Sequence, residues 1–270
     1  MPAPSPKVSS LQEYVEWAEQ VALSFTDDGG YEAPWFRGVG DASFHLVPGL
    51  YRSPEGRQKF ADDELRSEFS RKALPLVAER APRDHWEWYF LMQHYRAPTR
   101  LLDWTDSALV ALYFALGASP LPKNKTGNPP AVWALNPFTL NKRVGFDGAV
   151  TTDWIQDTAY LPDPYSGRRI PKRPIAIDPD FTMQRMLVQH SHFTLHGSDY
   201  RGLDQMRTEL SLERGLIKTV LDVDLDGLEY LQWHLRILGI TETTIFPDLE
   251  GLARELRLEY AIDETRPKVT

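Results

Sequence analysis

Arg37 stands between an aromatic residue and a glycine, in Trp35-Phe36-Arg37-Gly38. Its guanidinium offers five N–H donors in one rigid plane, beside a residue whose backbone another group can approach closely. That pairing suits a phosphate or a carboxylate. The same types recur in Tyr200-Arg201-Gly202, which reads as an ordinary turn, so Arg37 also fits a structural ion pair. A denser concentration follows in Gln93-His94-Tyr95-Arg96-Ala97-Pro98-Thr99-Arg100-Leu101-Leu102-Asp103-Trp104-Thr105. It reads as a loop, because Pro98 biases Ala97 away from helix, and loops held between rigid elements are where sites usually sit. Its plainer alternative has Asp103 and Thr105 capping the next helix while Arg100 pairs with Asp103.

Two further groups carry chemistry. In Gln189-His190-Ser191-His192, with His196 beyond, His-x-His puts two rings on one strand face as a metal requires. No third ligand lies at matching spacing, and zinc needs three or four, so no metal site is expected. Gln189 and His190 are then expected to hydrogen-bond a substrate or the His94 loop. Glu242 precedes the β-branched run Thr243–Phe246, read as a short strand whose end carboxylate can face a cleft. Asp248 falls where a helix N-cap or first-turn carboxylate is favourable, and Glu250 reads as a solvated first-turn residue.

The elements that position these residues follow from periodicity. Ser10 is placed to cap a helix with Leu11, Val15, Ala18 and Ala22 on one face, ended by Asp27-Asp28-Gly29-Gly30. Trp35–Gly38 reads as a short strand. Residues 61–80 form a charged amphipathic helix, and Trp86, Trp88, Tyr89, Phe90 and Met92 an aromatic one. Asp106 or Thr105 caps the helix Ala108–Leu116, which is almost wholly apolar and must be buried. Residues 119–130 read as an exposed connection, and Ala131–Leu135 as a buried strand. Asn136-Pro137 opens a helix by the N-cap and N1 preferences. Residues 145–180, rich in Asp, Pro and Gly, read as an irregular excursion over a site. Phe193–His196 and Leu216–Val223 are strands, Leu228–Leu238 a helix stopped at Gly239, and Leu249–Leu258 the last helix. This irregular alternation predicts an α+β fold: one large domain at 11–262 with a mixed, short-stranded sheet flanked by helices. Residues 1–10 and 263–270 read as tails.

Composition narrows the function. Apolar residues make up 42% and charged residues 25%, as in ordinary globular chains. The absence of Cys excludes disulfides, thiolate metal sites and a thiol nucleophile. No stretch reaches the length of a membrane span and the first ten residues lack a signal-peptide apolar core, so the chain is expected in the cytoplasm without a membrane partner. A net charge of −8 argues against nucleic acid as a tight electrostatic partner. Arg168, Arg169, Lys172 and Arg173, set among Pro and Gly, read as a solvated loop.

Together, Trp35–Gly38, Gln93–Phe114, Gln184–Gly197 and Leu235–Leu256 resemble the FRG-domain family, in the expected order. Arg96-Ala97 and His190-Ser191-His192 depart from its pattern. The resemblance implies a prokaryotic or phage protein of the kind placed with toxin–antitoxin or anti-phage systems, with a protein antitoxin or phage protein as partner. Motif order is also similar to the ADP-ribosyltransferases, with Phe36-Arg37-Gly38, then Pro98–Thr105 leading into Ala108–Ala115, then Glu242–Pro247. That likeness implies an ADP-ribosyltransferase-like fold and an NAD-consuming transferase or glycohydrolase. Catalysis would fall to Arg37, Glu242, Asp103 and His94. NAD, as substrate, would be bound by Phe36, Arg37, Gly38, Gln93, Thr99, Arg100, Trp104 and Thr105. In it Arg37 holds the pyrophosphate, while Trp104, Tyr95 or Phe36 stacks on a base. Glu242 steadies the ribose cation, or else Thr244 or Glu250 occupies its place. The alternatives are a metal-dependent hydrolase or nuclease using His94, Asp103 and Glu242, and a non-catalytic sensor of a nucleotide or phage protein.

Overall fold

The computed structural model describes residues 6–26, 33–58, 61–77, 81–117, 128–146, 150–151, 160, 170–179 and 184–260. Its strands are β1 Lys7–Val8, β2 Trp35–Val39, β3 Leu101–Thr105, β4 Ala131–Leu135, β5 Val150–Thr151, β6 Ile175–Asp178, β7 Ser191–Leu195 and β8 Leu216–Leu221. Its helices are α1 Leu11–Ser24, α2 Ala61–Ala73, α3 His85–His94, α4 Ala108–Leu116, α5 Pro137–Val144, α6 Gln184–Val188, α7 Leu225–Ile237, α8 Glu242–Ile245 and α9 Leu249–Glu259. The strands form one mixed sheet in the order β1-β8-β4-β2-β3-β7-β6-β5, an α+β arrangement. The two outer pairs, β1 with β8 and β5 with β6, are parallel, and the inner pairs are antiparallel.

Alternation along the strands assigns each side chain to a face. On one face Phe36, Val132 and Ala134 pack against Tyr14 and Trp17 of α1, Val110 and Ala111 of α4 and Leu231 and Leu235 of α7. Further along that face, Trp86, Phe90 and Met92 of α3 pack with Leu101, Phe193 and Leu195. Trp35, Leu102, Trp104 and Trp133 occupy the other face, with Leu140 of α5 and Leu203 and Met206. Each Val, Leu, Phe or Met among them, fully buried, contributes about 1.5–3 kcal/mol. α4 is as buried as its composition requires, with Val110, Ala111, Leu112, Ala115 and Leu116 all inside.

Several local expectations change. Ser10 does cap α1, but the buried face is Tyr14, Trp17 and Val21, while Val15 is 47% exposed. The larger aromatic surfaces take the core and turn the helix about its axis. Leu101–Thr105 is a strand and not loop, since five registers with β7 satisfy its backbone. Ile175–Asp178, inside the expected irregular excursion, is a sheet strand between β5 and β7. The N-cap of α4 is Ser107, whose hydroxyl accepts from the Val110 amide, in place of Thr105 or Asp106.

The largest difference is at Thr243–Phe246. The predicted strand is the single helical turn α8. Thr241 accepts from the Thr244 amide, and Thr244 in turn accepts from the Thr241 amide, a reciprocal box that closes the turn. The helix end expected at Asp27–Gly30, the connection at 119–130 up to Gly127, and Arg168 and Arg169 lie outside the described residues. Among the described residues, no helix is long and apolar enough to cross a membrane.

Candidate functional site

The centre of the sheet is open. β2 pairs with β4 along five registers and β3 with β7 along five, but β2 and β3 meet only at Phe36↔Thr105. Beyond that point the two strands part. Arg37 fills the opening: its Nη1 donates to the Asp103 carbonyl at 2.5 Å and lies 3.7 Å from Asp103 Oδ2. The Asp103 carboxylate accepts from Gln93 Nε2 at 2.9 Å on each oxygen. Gln93 is oriented in turn by Thr99, whose hydroxyl donates to Oε1 and accepts from the Leu101 amide. The end of α3 and the loop before β3 thus hold the Asp103 carboxylate through two neutral side chains, and Asp103 stays 56% exposed. Burial holds Arg37 below the ordinary arginine range, Asp103 counters this and the Arg52 charge adds to it. An arginine made costly in this way favours an added anion.

Gly38 serves a different purpose from the close approach to a ligand expected of it. A Cβ there would lie 2.0 Å from the Ala111 carbonyl oxygen and 2.4 Å from the Ala115 nitrogen. Glycine lets α4 lie directly on β2, which braces the strand that carries Arg37.

Arg100 does not pair with Asp103. It is 1% exposed and its Nε donates to Asp62 Oδ2 at 2.7 Å. Its Nη1 donates to the His196 carbonyl at 2.8 Å, and its amide donates to the Tyr89 hydroxyl at 2.7 Å. Tyr89 in turn donates to Asp62 Oδ1 at 2.9 Å. Burial opposes both charges, yet Asp62 holds Arg100 above its ordinary range, and Arg100 with Arg66 holds Asp62 below its own. This knot fixes the root of β3 from beneath. Asp62 gave no signal in the sequence beyond lying four residues before Arg66, to which it is also paired.

The proposed stacking rings separate. Phe36 and Trp104 are each 3% exposed; Phe36 meets Trp17, and Trp104 donates to the Thr194 hydroxyl at 3.0 Å. Both belong to the core. Tyr95 is 68% exposed, edge-on to His94 at 4.9 Å. Thr105 is buried, and its hydroxyl accepts from the Ser107 amide.

Glu242 is not a cleft-facing strand end. Its side chain is 3% exposed, accepting from the Tyr113 hydroxyl on Oε1 and from Arg254 Nε at 2.9 Å on Oε2. It lines a cavity of about 260 Å³ with Tyr113, Gln232, Leu235, Thr241 and Glu255. It therefore sits beside α4, whereas Arg37 leaves β2 on the face opposite the one α4 covers. Glu250 is exposed, as expected, and pairs with Arg254.

His190 and His192 do not share a strand face, because His190 precedes β7 with φ +49°. His190 Nδ1 meets Asp106 at 2.9 Å, and Gln189 donates to the Ile245 carbonyl. His192 stacks on Trp35 at 4.5 Å between Asp178, at 3.0 Å, and Asp106, at 3.5 Å. Burial works against its charge, but the two carboxylates raise it above the usual histidine range. Among the described residues, no group of His, Asp and Glu is arranged to hold a metal ion.

His196 is fully buried, and burial, then Arg100 and Arg37, push it down to about 3. The folded chain refuses a proton that the unfolded chain takes up near pH 6.5. Stability should therefore fall as pH drops from about 6.5 toward 3, by up to about 1.4 kcal/mol per unit for this one proton. Urea unfolding between those limits should show a slope shallower by one proton in His196→Gln, and equal slopes would contradict the assignment.

Residues 32–124 match the family model of the FRG domain. The matched stretch carries Arg37, Gln93, Thr99, Asp103 and α4, whereas Gln184–Gly197 and Leu235–Leu256 lie beyond it. No curated protein and no solved structure matches the chain.

Proposed function

With the opened sheet lying inside an FRG domain, we propose that it binds NAD and that the chain consumes NAD there, transferring ADP-ribose to an acceptor or to water. The observation that carries this is the meeting of Arg37, Asp103 and Gln93 where β2 and β3 part. Arg37 holds the pyrophosphate through charge-assisted bonds. Asp103, exposed and fixed at both oxygens by Gln93, faces the ribose. As the bond from the ribose carbon to the nicotinamide nitrogen breaks, its electron pair leaves with nicotinamide. The carboxylate stabilises the sugar cation left behind. An acceptor oxygen or nitrogen then bonds to that carbon and releases its proton. Of the three rings, the exposed Tyr95 is the one to stack on a base. The carboxylate role passes from Glu242 to Asp103, because Glu242 is 3% exposed and held by Tyr113 and Arg254, whereas Asp103 is 56% exposed beside Arg37. A place as a toxin or anti-phage effector belongs to the same proposal.

A metal-dependent hydrolase built on His94, Asp103 and Glu242 is less well supported, because those three side chains are held by different partners. A non-catalytic sensor shares the binding step and differs at turnover. Calorimetric titration with NAD tests the shared step. Loss of a charged hydrogen bond costs about 1.5–3 kcal/mol, so Arg37→Ala should bind NAD about 10–100-fold more weakly. Arg37→Lys should keep part of the affinity, and Asp103→Asn nearly all of it. Equal affinity in Arg37→Ala, or no binding by the wild type, contradicts the site.

A further inference from the structure

The cavity of about 260 Å³ beside Glu242 lies on the α4 side of the sheet, away from Arg37. Pockets that hold drug-sized molecules measure roughly 300–1,000 Å³, so this one suits something smaller. Part of its wall is apolar, made by Leu116, Leu235, Ile240 and Leu258. The rest is polar, with acceptors to spare. Glu255 takes the Thr241 hydroxyl and the Thr243 amide on Oε2 alone. Gln232 uses only its Nε2, on the Leu116 and Gly117 carbonyls. Among the described residues, neither Glu255 Oε1 nor Gln232 Oε1 accepts a hydrogen bond.

Charge and backbone point the same way. Arg254 neutralises Glu242, which leaves Glu255 and Glu259 against the single Arg236 in the lining, an excess of one negative charge. Burial opposes the Glu255 charge, yet Thr243, Thr241 and Arg236 hold the group below the usual carboxylate range. Three helices also end here: α4 at Leu116, α7 with Leu235 and Arg236 in its last turn, and α9 with Leu258 and Glu259. The carbonyl ends of helices favour a cation. The opposing N-terminus of α8 is already met by Thr241 and Glu255. We propose that this cavity binds a small organic monocation, an alkylammonium. Its N–H groups donate to Glu255 Oε1 and Gln232 Oε1 while its chain lies on the four apolar residues.

Calorimetric titration and saturation-transfer NMR of the full chain with pentylammonium, beside pentanol and pentanoate, test this. Pentylammonium should bind about 10–100-fold more tightly than pentanol, the worth of a charge-assisted hydrogen bond, and pentanoate most weakly. Glu255→Gln can still accept from both threonines and should erase the advantage of the amine over the alcohol. Leu258→Trp fills the apolar part without touching a charge, and should abolish binding of both with an unchanged circular dichroism spectrum. Arg37→Ala should bind the amine as the wild type does. Four results would each overturn the proposal: no binding of pentylammonium by folded wild type at millimolar concentration, equal affinity for amine and alcohol, binding that survives Leu258→Trp, or binding lost in Arg37→Ala.

Discussion

Arg100→Ala should cost the fold about 3–5 kcal/mol, since it strands the Asp62 carboxylate in the interior. At about 2–4 °C per kcal/mol the midpoint of thermal unfolding drops by roughly 6–20 °C. The side chain is 1% exposed and joins α2, the root of β3 and the end of β7 through Asp62 and the His196 carbonyl. Arg66, 3.4 Å from the same Asp62 oxygen, offsets part of the loss and places the value toward the lower end. Arg201→Ala is the natural contrast. Arg201 likewise pairs with carboxylates, Asp199 and Glu209, but it is 44% exposed, so its removal should cost far less. Replacing both buried partners, Arg100→Met with Asp62→Leu, should recover most of the loss. Urea unfolding measures all three. A cost for Arg100→Ala no larger than that for Arg201→Ala would contradict the knot.

Gly38→Ala should be nearly as damaging, at about 3 kcal/mol, the upper end for overpacking. The atoms in its way, the Ala111 carbonyl oxygen at 2.0 Å and the Ala115 nitrogen at 2.4 Å, are backbone, so relief requires moving the whole of α4. Gly40→Ala controls for backbone stiffening. Its nearest neighbour, the Ala115 carbonyl, is 3.9 Å away, so it should change stability by under about 1 kcal/mol. If α4 is displaced, β2 shifts with it, and NAD binding through Arg37 should weaken in the folded fraction of Gly38→Ala. Equal stability of the two variants would mean that α4 does not rest on β2 as described.

These two residues show where sequence was sufficient and where it was not. The grouping of Arg37 with the 93–105 segment came from the likeness in motif order and not from residue types, and the geometry joins Arg37, Gln93, Thr99 and Asp103. The partner of Arg100 was not visible, because Asp62 lies 38 residues earlier on a helix whose charged pattern gives no sign of a buried polar face. The purpose of Gly38 was hidden for a similar reason: the helix that needs the space is formed some seventy residues later. At Glu242 a local signal existed and was outweighed. Thr241 and Thr244 have capping-box spacing, but the overlapping β-branched run Thr243–Ile245 reads as strand by propensity alone, which is weak over so short a stretch. β6 escaped because Ile175–Asp178 is set in Pro- and Asp-rich sequence, where composition masks three buried apolar residues.

Incubation of the purified chain with NAD labelled on its adenylate, following free nicotinamide and label on lysate protein, RNA and DNA, tests the central claim most directly. The folded wild type should release nicotinamide. Asp103→Asn and Arg37→Ala should each slow release about 100-fold or more, while Glu242→Gln, matched for folded fraction, should retain it. Absence of release from folded wild type with and without lysate, or release that survives Asp103→Asn, would contradict the account.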